Sequence, residues 1–343
     1  MDIQIIKSFL LAGLVSFILT PFVRRLCLKK QWMDVPKDNR RVHKKPIPRI
    51  GGLAIYAAFL VAMLVFCPKN RESWALIIGA SIIALSGFID DTKGLTPKGK
   101  LLFQGVAAIC LVWGGSSIRF FTNPFPGHEL VYLKYFTIPI TIFWVAGITN
   151  SINLIDGLDG LASGVTIICA VSLLFIAQRY QQTQVVLVAA ILAGACLGFL
   201  FFNFNPASIF MGDTGSLLLG FVLSYISIEG VMKSAAAIAI FLPVIILGVP
   251  VFDTTFAMLR RAISGRGIMS ADKGHLHHRL LRKGLSQRET VGVLYLISIV
   301  FGLIANIVSQ LPARDALIVC IVIIALVFLL ATLFGMFNHK ENL

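Results

Sequence analysis

The sequence predicts an all-α polytopic integral membrane protein of about eleven transmembrane helices, and three observations carry that prediction. The mean hydropathy is +0.87 and only 13% of the 343 residues are charged, whereas a soluble domain carries about a quarter. Apolar runs recur from one end of the chain to the other, bounded by turn residues or charge. The 30 Lys and Arg, set against 16 acidic residues for a net charge of +14, fall mainly in alternate gaps between those runs. In a membrane chain such an excess reports first on topology, because cytoplasmic loops collect Lys and Arg, so no nucleic-acid partner is needed to explain it. Cys27, Cys67, Cys110, Cys169, Cys196 and Cys320 stand singly with no CxxC pair, which suggests neither a disulfide framework nor a zinc site.

The first run, 3–23, carries no small-residue cleavage site and is followed at once by Arg24-Arg25 and Lys29-Lys30. That pattern predicts a retained helix with its N-terminus outside. Ten further runs follow at 51–67, 74–89, 101–114, 137–149, 161–177, 185–201, 216–228, 235–252, 291–309 and 316–334. Several fall short of the roughly 20 residues that cross a bilayer, so their ends must extend into flanking residues. Alternation then puts 24–49, 90–100, 150–160, 202–215, 260–288 and the C-terminal tail from 335 in the cytoplasm. These six segments hold 22 of the 30 Lys and Arg, the asymmetry expected of inner loops. The outer segment 115–136 is the longest; Pro124, Pro126 and Gly127 mark turns in it and the alternation in HELVYLKYF predicts a strand or hairpin. With no internal repeat and no soluble insert, residues 1–343 read as one domain.

This topology brings Asp90, Asp91, Asp156, Asp159 and Asp213 to the cytoplasmic face without the use of any motif. Ionisable groups at a bilayer boundary are costly and usually face a water-filled site. Asp90-Asp91 ends a helix and opens DDTKGLTPKGK, where turn residues return Lys98 and Lys100 to the same spot. Adjacent carboxylates repel unless a cation neutralises them; a solvated turn with capping aspartates is the equal alternative. In NSINLIDGLDG, a helix through 150–160 would align Asn150, Asn153 and Asp156 or Gly157 on one face at spacings of three and four, with Asp156 and Asp159 three apart on a neighbouring face. Oxygen-only donors of this kind suit Mg²⁺ far better than zinc, and four of them exceed what helix capping needs.

In FNFNPASIFMGDTGS, the backbone N–H groups that open the following helix offer an anion site, and Asp213 a carboxylate for a metal. The plainer alternative is an N-cap by Asp213 or Thr214. Phe210 is a stacking surface for a base or a membrane-edge aromatic. The 260–288 loop carries eight basic residues and HLHHRL at 275–280, so a polyanion is a better guest than a metal; contact with lipid headgroups explains the charge but not the histidines. Asp253, seven residues before Arg260, reads as a structural ion-pair member.

Taken together, the first loop DVPKDNRRVHKKPIPRIGG, Asp90-Asp91 with Lys100 ten residues on, NSINLIDGLDG, FMGDTGS and the histidine loop resemble the polyprenyl-phosphate N-acetylhexosamine-1-phosphate transferases, over essentially the whole chain. Each motif is weak alone; in this order and on one face they are specific. The branch that makes the peptidoglycan precursor typically has ten spans and three consecutive histidines. Here Leu276 separates His275 from His277-His278 and an eleventh run is present, which is closer to the branch using UDP-GlcNAc and undecaprenyl phosphate. The HLHHRLL form resembles the Gram-positive teichoic acid linkage enzymes most.

The resemblance implies a multi-pass enzyme of the bacterial plasma membrane that transfers GlcNAc-1-phosphate from UDP-GlcNAc to undecaprenyl phosphate and releases UMP. It implies Mg²⁺, with Mn²⁺ as a substitute, held by Asn153 and Asp213. Asp90, Asp91, Lys100, Asp156 and Asp159 would form the catalytic group. His275, His277, His278, Arg279, Arg40, His43, Lys44 and Phe210 would bind substrate. The alternatives are another donor, UDP-MurNAc-pentapeptide or UDP-GalNAc, and, from a different class, a transporter, whose charges should lie near the bilayer midplane. A homodimer is left open.

Overall fold

The computed structural model describes residues 3–35, 46–122, 130–232, 241–265 and 274–335. Thirteen helices run through them in chain order: α1 (Ile3–Lys30), α2 (Gly52–Phe66), α3 (Arg71–Lys93), α4 (Pro97–Gly114), α5 (Thr137–Ile155), α6 (Leu161–Arg179), α7 (Thr183–Asn203), α8 (Gly212–Ser227), α9 (Phe241–Ile246), α10 (Gly248–Ile263), α11 (Leu276–Arg282), α12 (Gln287–Val308) and α13 (Ala313–Leu333). Their boundaries follow local chemistry. Asn70 opens α3 by accepting a hydrogen bond from the Ser73 N–H, and Gly94, at φ 79°, closes it. Thr96 caps α4 ahead of Pro97, a residue suited to a helix start because its missing N–H is not needed there. Ser286 and Glu289 form a reciprocal capping box at the start of α12.

Helix α8 is the axis of the bundle. It is buried along its length, continues as a wider π turn over Ile228–Met232, and is surrounded by α2, α3, α5, α6 and α7. Its first turn is approached unusually closely. A Cβ on Gly52 would stand 2.1 Å from the Gly215 nitrogen, and one on Gly87 would stand 2.4 Å from the Thr214 Cα. Absent side chains let neighbouring backbones pack at this range, and they draw α2 and the last turns of α3 onto the start of α8.

Each of the eleven apolar runs is helical where described. Among the described residues, eight helices are long and apolar enough to cross a membrane. The other three runs are weaker: α2 has 15 residues, α4 begins with Lys98 and Lys100, and the run 235–252 contributes α9 and α10, which are separated at Leu247. The hairpin expected in 115–136 forms, β1 (Phe120–Thr122) pairing antiparallel with β2 (Leu130–Tyr132).

Candidate active site

The carboxylates expected to share one face come together at one end of the bundle. Asp90, Asp91 and Asp213 each offer an oxygen within 4.8 Å of the others. Two of them leave α3 in its last turn and the third enters α8 in its first, so antiparallel packing of α3 on α8 brings them together. Two cations are interleaved. Lys100 Nζ lies 2.8 Å from Asp90 Oδ2 and 2.5 Å from Asp213 Oδ2; Arg49 Nε lies 2.8 Å from Asp91 Oδ1, with its terminal nitrogen 3.3 Å from Asp213 Oδ1. Lys98 is exposed. An all-oxygen donor set of this kind fits Mg²⁺ or Mn²⁺ rather than zinc.

The start of α8 differs from what the sequence of 202–215 predicts. Two of the N–H groups that open α8, those of Asp213 and Thr214, are not left for an external anion, and neither Asp213 nor Thr214 is their cap. The Asp91 carboxylate, from another helix, accepts from the backbone N–H groups of Asp213 and Thr214, both at 2.9 Å, and from the Thr214 hydroxyl at 2.7 Å. Asp91 is therefore fully shielded from solvent and holds α3 to α8. Asp90 accepts from the Leu95 N–H at 2.7 Å, closing the turn between α3 and α4.

The expected helix through 150–160 also needs correction, because α5 stops at Ile155 and the chain turns through 156–160. Gly157 and Gly160 break the helical run, the latter at φ 78°. Asn153 remains on the helix and donates from Nδ2 to the Ser216 hydroxyl at 2.8 Å, one turn along α8 from Asp213. Asn150 exchanges hydrogen bonds with Gln104 on α4. Asp156 is half-buried in the turn. Its carboxyl is pushed up to about 8, by burial first and then by the negative charge of Asp213, with Arg49 opposing. Asp159 accepts from Asn205 Nδ2 at 2.9 Å and from the Ala207 N–H at 3.0 Å, and so ties the turn to the segment that follows α7.

The histidine loop packs against this turn. A Cβ on Gly157 would stand 2.6 Å from His277 Nε2. Asp253 is an anchor: its carboxylate lies 2.8 Å from His275 Nδ1 and accepts from the Leu276 N–H at 2.7 Å. The His275 and His277 rings stack at 5.8 Å, and those of His277 and His278 lie 4.3 Å apart. Burial, and then His278, hold the His277 imidazole down at about 3, so it is neutral at physiological pH. Arg279 donates to the carbonyls of Gly274 and Gly335. Phe210 is half-buried, its N–H donating to the Pro48 carbonyl and its own carbonyl accepting from Gly51. Arg40, His43 and Lys44 lie outside the described residues.

Arg49 is the residue that the sequence left unmarked. It is one of ten basic residues in 24–49, and only its place just before the glycine pair that opens α2 distinguished it.

The sequence matches the profile described as glycosyl transferase family 4 over residues 73–231. It is 40% identical, over 98% of this chain and 94% of the relative, to the probable undecaprenyl-phosphate N-acetylglucosaminyl 1-phosphate transferase of Bacillus subtilis. It is 33% identical to the decaprenyl-phosphate N-acetylglucosaminephosphotransferase of Mycolicibacterium smegmatis, over 92% and 85% of the two chains. Identity is 32% to the phospho-N-acetylmuramoyl-pentapeptide-transferase of Oceanobacillus iheyensis, over 88% and 95%. With that coverage, and with a carboxylate cluster at one end of an apolar helical bundle, the chain belongs to the polyprenyl-phosphate N-acetylhexosamine-1-phosphate transferases, a family of multi-pass membrane enzymes.

Proposed function

We propose that this protein transfers GlcNAc-1-phosphate from UDP-GlcNAc to undecaprenyl phosphate, releasing UMP and leaving GlcNAc-diphospho-undecaprenol, as the first membrane step of a cell-envelope polymer, teichoic acid by resemblance. The observation that carries it is the meeting of Asp90, Asp91 and Asp213 with Lys100, in a chain so similar to a relative whose name specifies that reaction. Eleven spans with the N-terminus outside remain our reading of the topology, supported by the distribution of Lys and Arg. The site then faces the cytoplasm, where a soluble nucleotide sugar meets a lipid phosphate.

An oxygen of the lipid phosphate attacks the sugar-bearing phosphorus, and the bond from that phosphorus to the UMP oxygen breaks. A divalent cation held by Asp213 and Asn153, with Asp90 within reach, would offset the charge that builds on the phosphoryl and leaving oxygens. The lipid phosphate, with a second pKa near 6, arrives mostly dianionic at pH 7 and needs no base to deprotonate it. Asp90 and Lys100 therefore position it, while Asp91 keeps the start of α8 in register. Asp156, whose neutral form is favoured in the metal-free fold by burial and by the negative charge of Asp213, faces the uridine or sugar side, with Asp159 holding the turn. The histidine loop receives the diphosphate, His277 as a neutral hydrogen-bonding group and Arg279 as a cation. Phe210 and the first-loop residues Arg40, His43 and Lys44 flank the nucleotide.

A transporter reading is disfavoured because these carboxylates sit at helix ends rather than midway along them. The test is UMP release by detergent-purified protein given undecaprenyl phosphate, Mg²⁺ and UDP-GlcNAc, with UDP-MurNAc-pentapeptide, UDP-GalNAc and EDTA in parallel. Release with UDP-GlcNAc alone, abolished by EDTA, is expected. Release only with another donor would move the protein to a different branch of the family.

A further inference from the structure

We infer that Arg49 competes with the divalent cation for Asp213 and, once displaced from it, binds the diphosphate of the sugar nucleotide. The second half of this inference rests on the function proposed above; the first does not.

The backbone around Arg49 is fixed by hydrogen bonds. Arg49 is clamped on both sides: its N–H donates to the Trp32 carbonyl at 3.1 Å, and its carbonyl accepts from Cys27 Sγ at 2.8 Å. The segment is then zipped onto the entry to α8. Phe210 N–H donates to the Pro48 carbonyl, Gly51 N–H to that of Phe210, and Gly52 N–H to that of Met211, at 2.8 to 2.9 Å. Between clamp and zipper, Ile50 is fully buried at φ 82°. A β-branched residue in this left-handed region is a genuine outlier, and such strain persists only where the surroundings over-determine it, commonly at functional sites. Here it turns the chain between the Arg49 side chain, aimed at the carboxylates, and α2, seated on α8.

The side chain is asymmetrically held. Nε is anchored 2.8 Å from Asp91, a carboxylate already satisfied by α8 and shielded from solvent, whereas the terminal nitrogen reaches Asp213 at the longer distance of 3.3 Å. Asp213 also has Lys100 on its other oxygen. A divalent ion taking Asp213 Oδ1 therefore competes with only the weaker half of the guanidinium. The Asp91 anchor survives that exchange and leaves the fork beside the metal position, directed at whatever anionic oxygens the metal brings. Guanidinium forks match phosphate oxygens bidentately, and the side chain is 30% exposed, so ligand can reach it.

The experiment uses full-length protein in detergent, as wild type, Arg49→Gln and Arg49→Lys. Mn²⁺ affinity is read by electron paramagnetic resonance without substrate, and UDP-GlcNAc affinity by calorimetry with Mn²⁺ saturating. Arg49→Gln is expected to bind Mn²⁺ about threefold or more tightly than wild type, because a competing cation is gone. It should bind UDP-GlcNAc about tenfold or more weakly, the usual scale for losing a charge-assisted hydrogen bond. Arg49→Lys, which keeps the charge without the fork, should hold wild-type Mn²⁺ affinity and still lose nucleotide affinity; if the glutamine variant does not fold, it carries the nucleotide half of the test and Arg49→Met carries the Mn²⁺ half, with the same gain expected. Equal Mn²⁺ affinity in wild type and Arg49→Gln, or equal nucleotide affinity in all three, overturns the inference. Wild-type protein that binds Mn²⁺ but releases no UMP overturns the proposed function instead.

Discussion

Asp91 on α3 caps the first turn of α8 at Thr214, its Oδ2 accepting both the backbone N–H at 2.9 Å and the hydroxyl at 2.7 Å. The two residues are 123 positions apart in the chain. This cap is the joint that aligns one pair of carboxylates with the third. Removing it leaves Arg49 without its nearest counter-charge and two helix N–H groups without acceptors. Asp91→Ala should therefore destabilise the protein by about 3 kcal/mol or more, the scale for breaking a buried ion pair. Asp91→Asn, which keeps an acceptor oxygen, should lose less. Thermal melts of the two variants in detergent check the ranking.

Asp213 stands between Lys100 and Arg49. Asp213→Ala should abolish turnover, by about 10²-fold or more on the scale of a lost transition-state electrostatic partner, while the protein stays monodisperse in gel filtration. Substantial residual UMP release would remove Asp213 from the proposed metal site.

The pH dependence of stability should carry the signature of Asp156. Its carboxyl titrates at about 8 in the fold against 3.8 for an unperturbed aspartate. Between those values the folded protein keeps a proton that the unfolded chain has lost. The stability contributed by the neutral form is therefore full below about pH 4 and drains away as pH rises towards 8. Asp156→Asn mimics the neutral form at every pH. Its melting temperature relative to wild type, measured in EDTA from pH 5 to 9, should rise with pH and level off above about 8. A difference that is flat across this range would refute the shift.

Gly157 leaves no room for a side chain beside His277, since a Cβ there would stand 2.6 Å from Nε2. Gly157→Ala would drive a methyl group into the imidazole, and both residues lie outside the long helices. The expected result is a folded protein whose KM for the sugar nucleotide rises severalfold, with a smaller change in kcat. Initial-rate measurements at varied UDP-GlcNAc separate the two; an unchanged KM would detach the histidine loop from donor binding.

Gly52→Ala should be far more damaging, since its Cβ would collide with the Gly215 backbone rather than a movable side chain. Loss of the monodisperse peak, or a melting temperature lowered by several degrees, is the outcome expected of overpacking on the order of 1–3 kcal/mol.

Much of the fold was legible because apolar runs and turn residues report on local structure. The eleven runs became helices where described, and HELVYLKYF contributed a strand to a hairpin. The gathering of Asp90, Asp91 and Asp213 at one end was also readable, because each lies at the edge of an apolar run and alternation fixes which edges coincide. The stop of α5 at Ile155 was harder to read: the polar periodicity of 150–160 fits a helix, and Gly157 and Gly160 can serve either helix packing or a turn.

The sequence by itself determined that this is an apolar helical bundle with its carboxylates at one end, since hydropathy, charge asymmetry and helix length are properties of consecutive residues. The tertiary structure alone decided what each carboxylate does there: Asp91 caps a distant helix, Asp159 ties a loop, and Asp213 meets two cations. It also singled out Arg49 from the ten basic residues of 24–49. The physical reason is that a hydrogen bond or ion pair acts over about 3 Å in space, and its partners are set by which helices pack together, which no local pattern in the chain records.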